Sequence, residues 1–391
     1  MKRRDLLILL IAFVLGMISC EENEEEQEFG QMMDKNAALS SVINLPGAQE
    51  PTGFIQMKDG FLITGEEGNS KGFLIKVNNN LQIEWQNSYD EQIYSITESN
   101  GKYIISGQNS DKKPWIGKIN KYGEIIWNTV PQISDLKEGK INKILPTSNG
   151  FVVIGWKNKG ESDIYTEAFI AKINGTGEID TGNTNTWELI VNNNTNYSEG
   201  LDIIEEFGYF YISGTSTDVI TKENAWILKV DQNGNVIKTR HFDNDAMTCK
   251  LNCLKKASDC IVGTGAWGKN KLWIVKFSPG LEQIKMDKKY RSTTGYLAEG
   301  NDILIQPDDQ ITIVGYDFGN MPNGWILNLS GDKLEWTTNI GPYEQLLVLK
   351  SVYSFNKNQY IVSGTVNSKS EDESDIILIK TDEHGRHTGC F

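Results

Sequence analysis

The chain repeats one short pattern seven times: a few apolar residues, usually a small residue, and then a glycine. The seven segments are Phe61–Gly65, Tyr103–Gly107, Phe151–Gly155, Phe210–Gly214, Cys260–Gly263, Ile311–Gly315 and Tyr360–Gly364. The shortest step between successive glycines, Gly65 to Gly107, is 42 residues, and the longest, Gly155 to Gly214, is 59 residues. A period of this length indicates that one supersecondary unit recurs along most of the chain.

A second apolar series follows each of these segments. Its members are Phe73–Lys76, Trp115–Lys118, Phe169–Lys172, Trp226–Lys229, Trp273–Lys276, Trp325–Asn328 and Ile377–Lys380. A turn then leads into a further short segment, which ends in tryptophan at Trp85, Trp127, Trp187 and Trp336. Pairs such as Asp59-Gly60 between apolar runs favour hairpins, because these residue types tolerate positive φ. Each unit is therefore predicted to contain four short antiparallel strands.

Four-stranded units at this spacing are typical of propeller blades, which bury both faces against their neighbours around an axis. The sequence therefore predicts an all-β, seven-bladed β-propeller over residues 39–391. An open β-solenoid is the alternative, but its rungs are shorter than these units. After Gly385 too little chain remains for an outer strand. We expect residues 40–46 to complete the seventh blade, and the repeat glycine to admit close approach of the neighbouring blade.

The N-terminus has the pattern of a secretory signal over residues 1–20. Lys2, Arg3 and Arg4 precede an apolar run from Leu6 to Ile18. The residues Met17-Ile18-Ser19-Cys20 resemble a bacterial lipobox, with methionine where that motif usually has leucine. The resemblance implies cleavage before Cys20 and attachment of lipid to it, which would anchor the protein to a membrane. Plain secretion, with Cys20 incidental, is the alternative.

Residues 21–38 are predicted to form a solvated acidic tether, since residues 21–28 contain six carboxylates that repel one another. This stretch resembles the acidic segment that follows the lipidated cysteine in surface lipoproteins of Bacteroidota. The resemblance implies an outer-membrane protein that faces the cell surface or the periplasm; a simple spacer is the alternative. The formal net charge of −14 disfavours nucleic acid as a partner, and we expect a monomer.

The propeller repeats themselves resemble those of exported Bacteroidota proteins. They are also loosely similar to the quinoprotein-type repeat, in which a turn glycine precedes a strand ending in tryptophan, as Gly123 precedes Trp127 here. The resemblance covers residues 50–391 and implies the fold. Propellers host many unrelated activities, so it does not imply a function.

Strand parity predicts one functional face. The connections between second and third strands are long and varied, and they share one end of the sheets with the blade-to-blade connections. The aromatic residues on or near this face are Trp156, Tyr165, Trp267, Tyr316, Phe318 and Tyr343. Exposed aromatic rings stack on sugars or anchor proteins, which makes this set the candidate binding site. The alternative is that these rings pack between blades.

Catalytic and metal-binding patterns are sparse. The chain has three histidines and no nucleophile-elbow, phosphate-loop or zinc-protease motif, so no metal or cofactor is predicted. The carboxylates of Asp308, Asp309, Glu205, Glu206 and Asp317 could serve a glycosidase-like site.

The leading hypothesis for function is a non-catalytic binding or scaffold module for a glycan or protein. The alternative is an exported carbohydrate hydrolase or lyase that uses loop carboxylates. Cys253 and Cys260 flank a predicted hairpin turn and could form a disulfide; buried free thiols are the other possibility.

Overall fold

The computed structural model describes thirteen segments of the chain: residues 41–43, 48–68, 70–158, 165–179, 186–191, 195–217, 223–242, 248–292, 297–318, 322–341, 346–356, 359–367 and 374–386. Their regular structure consists of strands β1 to β28. Within these segments no helix is long and apolar enough to span a bilayer.

The strands form seven sheets of four strands each, which we call blades 1 to 7. Blade 1 holds β2 (Gln49–Met57), β3 (Gly60–Glu67), β4 (Lys71–Asn78) and β5 (Ile83–Tyr89); blade 2 holds β6 (Gln92–Ser99), β7 (Lys102–Gln108), β8 (Pro114–Ile119) and β9 (Ile125–Thr129); blade 3 holds β10 (Gly139–Thr147), β11 (Gly150–Asn158), β12 (Thr166–Asn174) and β13 (Trp187–Val191). Blade 4 holds β14 (Tyr197–Glu206), β15 (Tyr209–Thr217), β16 (Glu223–Val230) and β17 (Val236–Phe242); blade 5 holds β18 (Cys249–Lys256), β19 (Ile261–Trp267), β20 (Lys271–Phe277) and β21 (Ile284–Arg291). Blade 6 holds β22 (Ala298–Ile305), β23 (Ile311–Phe318), β24 (Pro322–Ser330) and β25 (Lys333–Ile340); blade 7 holds β26 (Leu346–Asn356), β27 (Gln359–Asn367), β28 (Ser374–Asp382) and β1 (Ser41–Ile43).

Each blade is a four-stranded antiparallel sheet, and the seven sheets form a closed ring. The first strand of every blade contacts the first strands of both neighbouring blades, including β2 with β26, so these strands lie innermost. The predicted seven-bladed propeller is confirmed.

The N-terminal strand closes the seventh blade, as the sequence predicts. β1 pairs antiparallel with β28, with Ser41 opposite Leu378 and Ile43 opposite Ile376. Ile43 is buried in a cluster that also contains Phe61 of blade 1. The hydrophobic core lies between blades, and burial of one large apolar side chain contributes about 1.5–3 kcal/mol.

A β-bulge at one position of every first strand explains the repeated glycine. Each first strand gains an extra residue there: Thr52, Tyr94, Asn142, Leu201, Asn252, Asn301 or Lys350. The second-strand glycine lies opposite the residue just before the bulge, as Gly155 lies opposite Ile141. In blade 5 the glycine at this position is Gly265 rather than the Gly263 of the sequence pattern. A Cβ on any of these seven glycines would come closer than 3.0 Å to a first-strand carbonyl oxygen, such as that of Lys140 for Gly155. The close approach therefore comes from the same blade, and the expectation of a neighbouring blade was wrong.

The tryptophans of the outer strands pack on turn glycines of the next blade. A Cβ on Gly123 would lie 2.9 Å from Trp85, and one on Gly234 would lie 2.7 Å from Trp187. Trp187 also donates a hydrogen bond from Nε1 to the carbonyl oxygen of Gln232, at 3.1 Å. The turn glycines and the outer-strand tryptophans of the repeat thus pack against each other across blade boundaries.

The disulfide considered between Cys253 and Cys260 does not form; both residues are buried free thiols. The register of blade 5 places Cys253 opposite Thr264, while the backbone N–H of Ala257 bonds to the carbonyl of Cys260 in the turn. The two cysteines are therefore four strand positions apart, or about 13 Å, beyond the roughly 7 Å that a disulfide spans. Cys20 and Cys390 lie outside the described residues.

Substitution of one repeat glycine tests the bulge. Gly155→Ala is expected to lower the free energy of unfolding by roughly 1–3 kcal/mol, because the new methyl group meets the backbone of β10. Urea unfolding followed by tryptophan fluorescence measures the change. Gly175→Ala in the same blade is the control, since a Cβ there meets nothing within 4 Å. Equal stability of the two variants would contradict this explanation of the repeat.

Candidate binding face around the axis

Polar side chains surround the axis where the first strands begin and the second strands end. We call this set the polar ring: Glu50, Glu66, Gln92, Tyr94, Lys140, Glu199, Lys250, Glu299, Tyr316 and Lys350. Strand parity places the ring on the same end of the sheets as the second-to-third and blade-to-blade connections. It therefore lies on the face that the sequence predicts to be functional.

In blades 2 to 4 the ring is built by contacts across the blade boundaries. Lys140 lies with its Nζ 3.2 Å from a carboxylate oxygen of Glu199 and 4.7 Å from the ring centroid of Tyr94. Asn142 donates from Nδ2 to Glu199 Oε1 at 2.7 Å. Two side chains of blade 3 thereby hold a carboxylate of blade 4, and the aromatic ring of blade 2 packs against the lysine ammonium group.

The remaining blades repeat this arrangement with other residues. Lys250 forms an ion pair with Glu223 at 3.3 Å, and Lys350 pairs with Glu50 at 2.6 Å. Tyr316 donates its hydroxyl hydrogen to Glu299 Oε2 at 2.7 Å, and Asn252 donates to the other oxygen of Glu299. The ring is therefore built from several sets of charged and hydrogen-bonded groups, and the members of each set hold one another in place.

Several bulge residues also hydrogen-bond to the backbone of the next blade. Thr52, Asn142, Asn252 and Asn301 donate to the carbonyl oxygens of Ile93, Gly200, Gly300 and Leu349, at 2.6, 2.8, 3.0 and 2.7 Å respectively. These acceptors lie on the inner edges of the first strands, where no further strand supplies a partner. The bulge therefore aims a donor across each of these four blade boundaries.

The environment of the ring keeps its donors protonated. Burial raises the pKa of Tyr316, and the nearby charge of Glu299 raises it further. Burial lowers the pKa of Lys250, but the carboxylates of Glu299 and Glu223 outweigh this effect and the net shift is upward. Burial also raises the pKa of Glu66, against a hydrogen bond from Tyr94 that lowers it. At neutral pH the lysine and the tyrosines are hydrogen-bond donors rather than bases.

The aromatic residues predicted from the sequence do not form one platform. Trp156 lies opposite Lys140 in the sheet register, and Tyr316 belongs to the polar ring with Phe318 at 5.0 Å between ring centroids. Trp267 instead packs edge-on against Trp273 at 5.1 Å, with Lys289 over its ring.

A further candidate lies elsewhere. Tyr165 is exposed and meets Tyr197 at the boundary of blades 3 and 4, with 6.1 Å between ring centroids. Tyr343 lies outside the described residues. The structure therefore brings Trp156, Tyr316 and Phe318 to the candidate binding face near the ring, and it separates Trp267 and Tyr165 from them.

The carboxylates considered for catalysis lie at opposite ends of the sheets. Asp309 is in the tight turn before β23, where it accepts a hydrogen bond from the backbone N–H of Ser258 at 3.0 Å. Glu205 and Glu206 lie near the tight turn after β14, and Glu206 pairs with Lys256 at 3.0 Å. Asp317 is buried near the other end and accepts a hydrogen bond from Ser292. Among the described side chains, no group of three or more His, Cys, Asp or Glu is arranged to hold a metal ion.

Sequence reasoning missed the polar ring, although the first strands carry a signal. Blades 4 and 6 share the pattern Glu-Gly-x-Asp, at Glu199–Asp202 and Glu299–Asp302, while blades 3 and 5 share Lys-x-Asn, at Lys140–Asn142 and Lys250–Asn252. Polar residues at matching positions of strands that line the axis mark side chains with a shared role.

No protein-family model matches the sequence, and no curated protein matches it. Among solved structures the fold is similar to puromycin hydrolase, with a TM-score of 0.56 and 10% identity over 91% of this chain and 58% of that chain. BamB from Moraxella catarrhalis gives a TM-score of 0.46 and 11% identity over 87% and 99% of the two chains. The Swd1 β-propeller domain from Myceliophteria thermophila gives 0.49 and 8% over 84% and 99%. At these identities the likeness concerns the fold alone.

The raised pKa of Glu66 gives a pH-dependent prediction. A carboxyl group with a higher pKa in the folded state than its ordinary value of 4.5 binds its proton more tightly when folded, so its ionisation lowers stability as pH rises through that range. Glu66→Gln removes this cost and keeps an acceptor for Gln92. The thermal midpoint of the variant should exceed that of the wild type at pH 7, and the difference should shrink at pH 4. Glu98→Gln at an exposed site is the control. A variant less stable than the wild type at pH 7 would contradict the prediction.

Proposed function

We propose that this protein is an exported lipoprotein, anchored through Cys20, that serves as a non-catalytic binding or scaffold module. Its partner is a glycan or a protein of the cell envelope, held on the polar ring and the loops around it. The observation that carries the proposal is the hydrogen-bonded state of the ring. Its carboxylates are held by lysine, asparagine, glutamine or tyrosine donors, as Glu66 is by Gln92 at 2.7 Å.

This arrangement suits recognition better than acid–base catalysis. General acid–base groups work best when their pKa lies near the operating pH. Here the pKa of Lys250 and that of Tyr316 are shifted upward, away from neutrality, and Glu66, whose pKa is raised, is hydrogen-bonded to Gln92 and Tyr94. Fixed donors and acceptors beside aromatic rings instead match the hydroxyl groups and faces of a sugar, or the polar rim of a protein interface.

The binding proposal is tested with the full chain in detergent on a glycan array and in pull-downs from envelope extract. Any ligand found is then titrated against Tyr316→Ala and Lys250→Met, which should each weaken binding roughly tenfold or more, as central interface residues do. Tyr122→Ala, an exposed aromatic change in the tight turn of blade 2, should bind as the wild type does. Binding that survives both ring substitutions would exclude the ring as the site. Cleavage of a bound glycan, seen by mass spectrometry, would favour the hydrolase or lyase.

The anchor has its own test. Cys20→Ser should move the protein from the membrane fraction to the soluble fraction of an expressing bacterium, because it removes the residue that accepts the lipid. Metabolic labelling with a palmitate analogue should mark the wild type and not the variant. Cys253→Ser, which changes a buried thiol of the propeller, is the control and should keep the label. A labelled Cys20→Ser protein would contradict lipidation at this position.

A further inference from the structure

Four charged side chains lie on the innermost strands just beyond the bulges. Lys143 of blade 3 has its Nζ 3.5 Å from Asp202 of blade 4, and Lys255 of blade 5 has its Nζ 3.6 Å from Asp302 of blade 6. The two pairs meet in blade 5, because Asp202 also accepts a hydrogen bond from the backbone N–H of Leu254, the residue before Lys255. They therefore form one cluster around the axis.

The aspartates are turned toward the protein backbone. Asp202 accepts a hydrogen bond from the backbone N–H of Leu254 in the next blade at 2.7 Å, and Asp302 accepts one from that of Val352 at 3.0 Å. Asp302 also accepts from the thiol of Cys253 at 3.3 Å. The side chains of Asp202 and Asp302 are only 5% and 15% exposed. Their carboxylate oxygens accept hydrogen bonds from backbone N–H groups on the inner edges of neighbouring blades.

The lysines are turned the other way. The side chains of Lys143 and Lys255 are 44% and 40% exposed although they stand on innermost strands, so they face the open space along the axis. Among the described residues, neither ammonium group has a hydrogen bond, and each has only its long ion pair. The carboxylates of Asp202 and Asp302 raise the pKa of the two lysines against the effect of burial, so both stay charged.

We infer that Lys143 and Lys255 form a binding site for a small oxyanion, a phosphate or carboxylate group, in the central channel of the propeller. Two ammonium groups with unused N–H donors favour an acceptor that carries negative charge. The channel walls exclude much of the bulk water, which strengthens this attraction relative to an exposed pair of lysines. The aspartates balance the lysine charges when no anion is bound, so the site is neutral before it binds.

The remaining groups near the site are already engaged. Burial raises the pKa of the Cys253 thiol well above its usual range, so it stays protonated and donates to Asp302. The hydroxyl group of Tyr353 donates to the carbonyl oxygen of Phe54. Neither group supplies a nucleophile, and the site is one for binding.

The test is isothermal titration calorimetry on the full chain in detergent at pH 7. Sodium phosphate is the first probe and sodium acetate the second, each at an ionic strength matched with chloride. We expect saturable binding of at least one probe, and the stronger probe identifies the preferred group. Lys143→Met and Lys255→Met should each weaken it roughly tenfold or more, because each removes a charged donor. Lys256→Met, on the same strand but at the tight-turn end and paired with Glu206, should bind as the wild type does.

Two results would overturn the inference: no saturable binding of either anion by the wild type, or binding that persists in both lysine variants. If Lys143→Met fails to fold because Asp202 loses its partner, Lys143→Met combined with Asp202→Asn removes the whole ion pair and keeps an acceptor for Leu254. The double variant should show the same loss of anion binding. The ligand of the polar ring should still bind to the double variant. Loss of anion binding is therefore distinguishable from loss of binding at the polar ring.

Discussion

The inner edge of each first strand is the constraint on which the rest of the structure depends. These edges face the axis, where no further strand can pair with them, and unpaired backbone groups away from bulk water are costly. Side chains of the preceding blade provide partners instead. Asn142 donates to the carbonyl of Gly200, and Asp202 accepts from the N–H of Leu254. The hydrophobic contacts between blades are strong but without direction, whereas these bonds fix how each blade meets the next.

The bulge links this constraint to both the repeat and the candidate sites. An extra residue in the first strand turns a side chain toward the next blade, and it presses a first-strand carbonyl against the second strand. Only glycine fits opposite that carbonyl, which is why Gly155 and its equivalents recur. The same local geometry points Lys140 and Glu199 into the polar ring. One backbone irregularity, the bulge, therefore explains the repeated glycine, the hydrogen bonds to the inner strand edges and the position of the polar ring.

The sequence was sufficient for the architecture because strand periodicity, turn glycines and a fixed repeat length are local signals. They predicted seven blades and the closing role of residues 40–46, of which Ser41–Ile43 form the strand. The candidate site was harder, because the bulge residue differs from blade to blade and the extra residue shifts the register by one position, so the sequence does not show which side chains reach the axis. Trp267 and Tyr316 both belong to the predicted set of aromatic residues, yet Tyr316 donates to Glu299, while Trp267 packs on Trp273. The same register separates Cys253 from Cys260.

The short pairing of β1 with β28 has a mechanical consequence. A force transmitted along the chain from its N-terminal side acts first on a strand of three residues at the outer rim, Ser41–Ile43. Peeling this strand away uncovers the edge of β28 but leaves the bonds around the axis intact. A pull on this end of the propeller would thus loosen a rim strand before it disturbs the central contacts. β1 can pair with β28 again through the same three residue pairs once the force is removed.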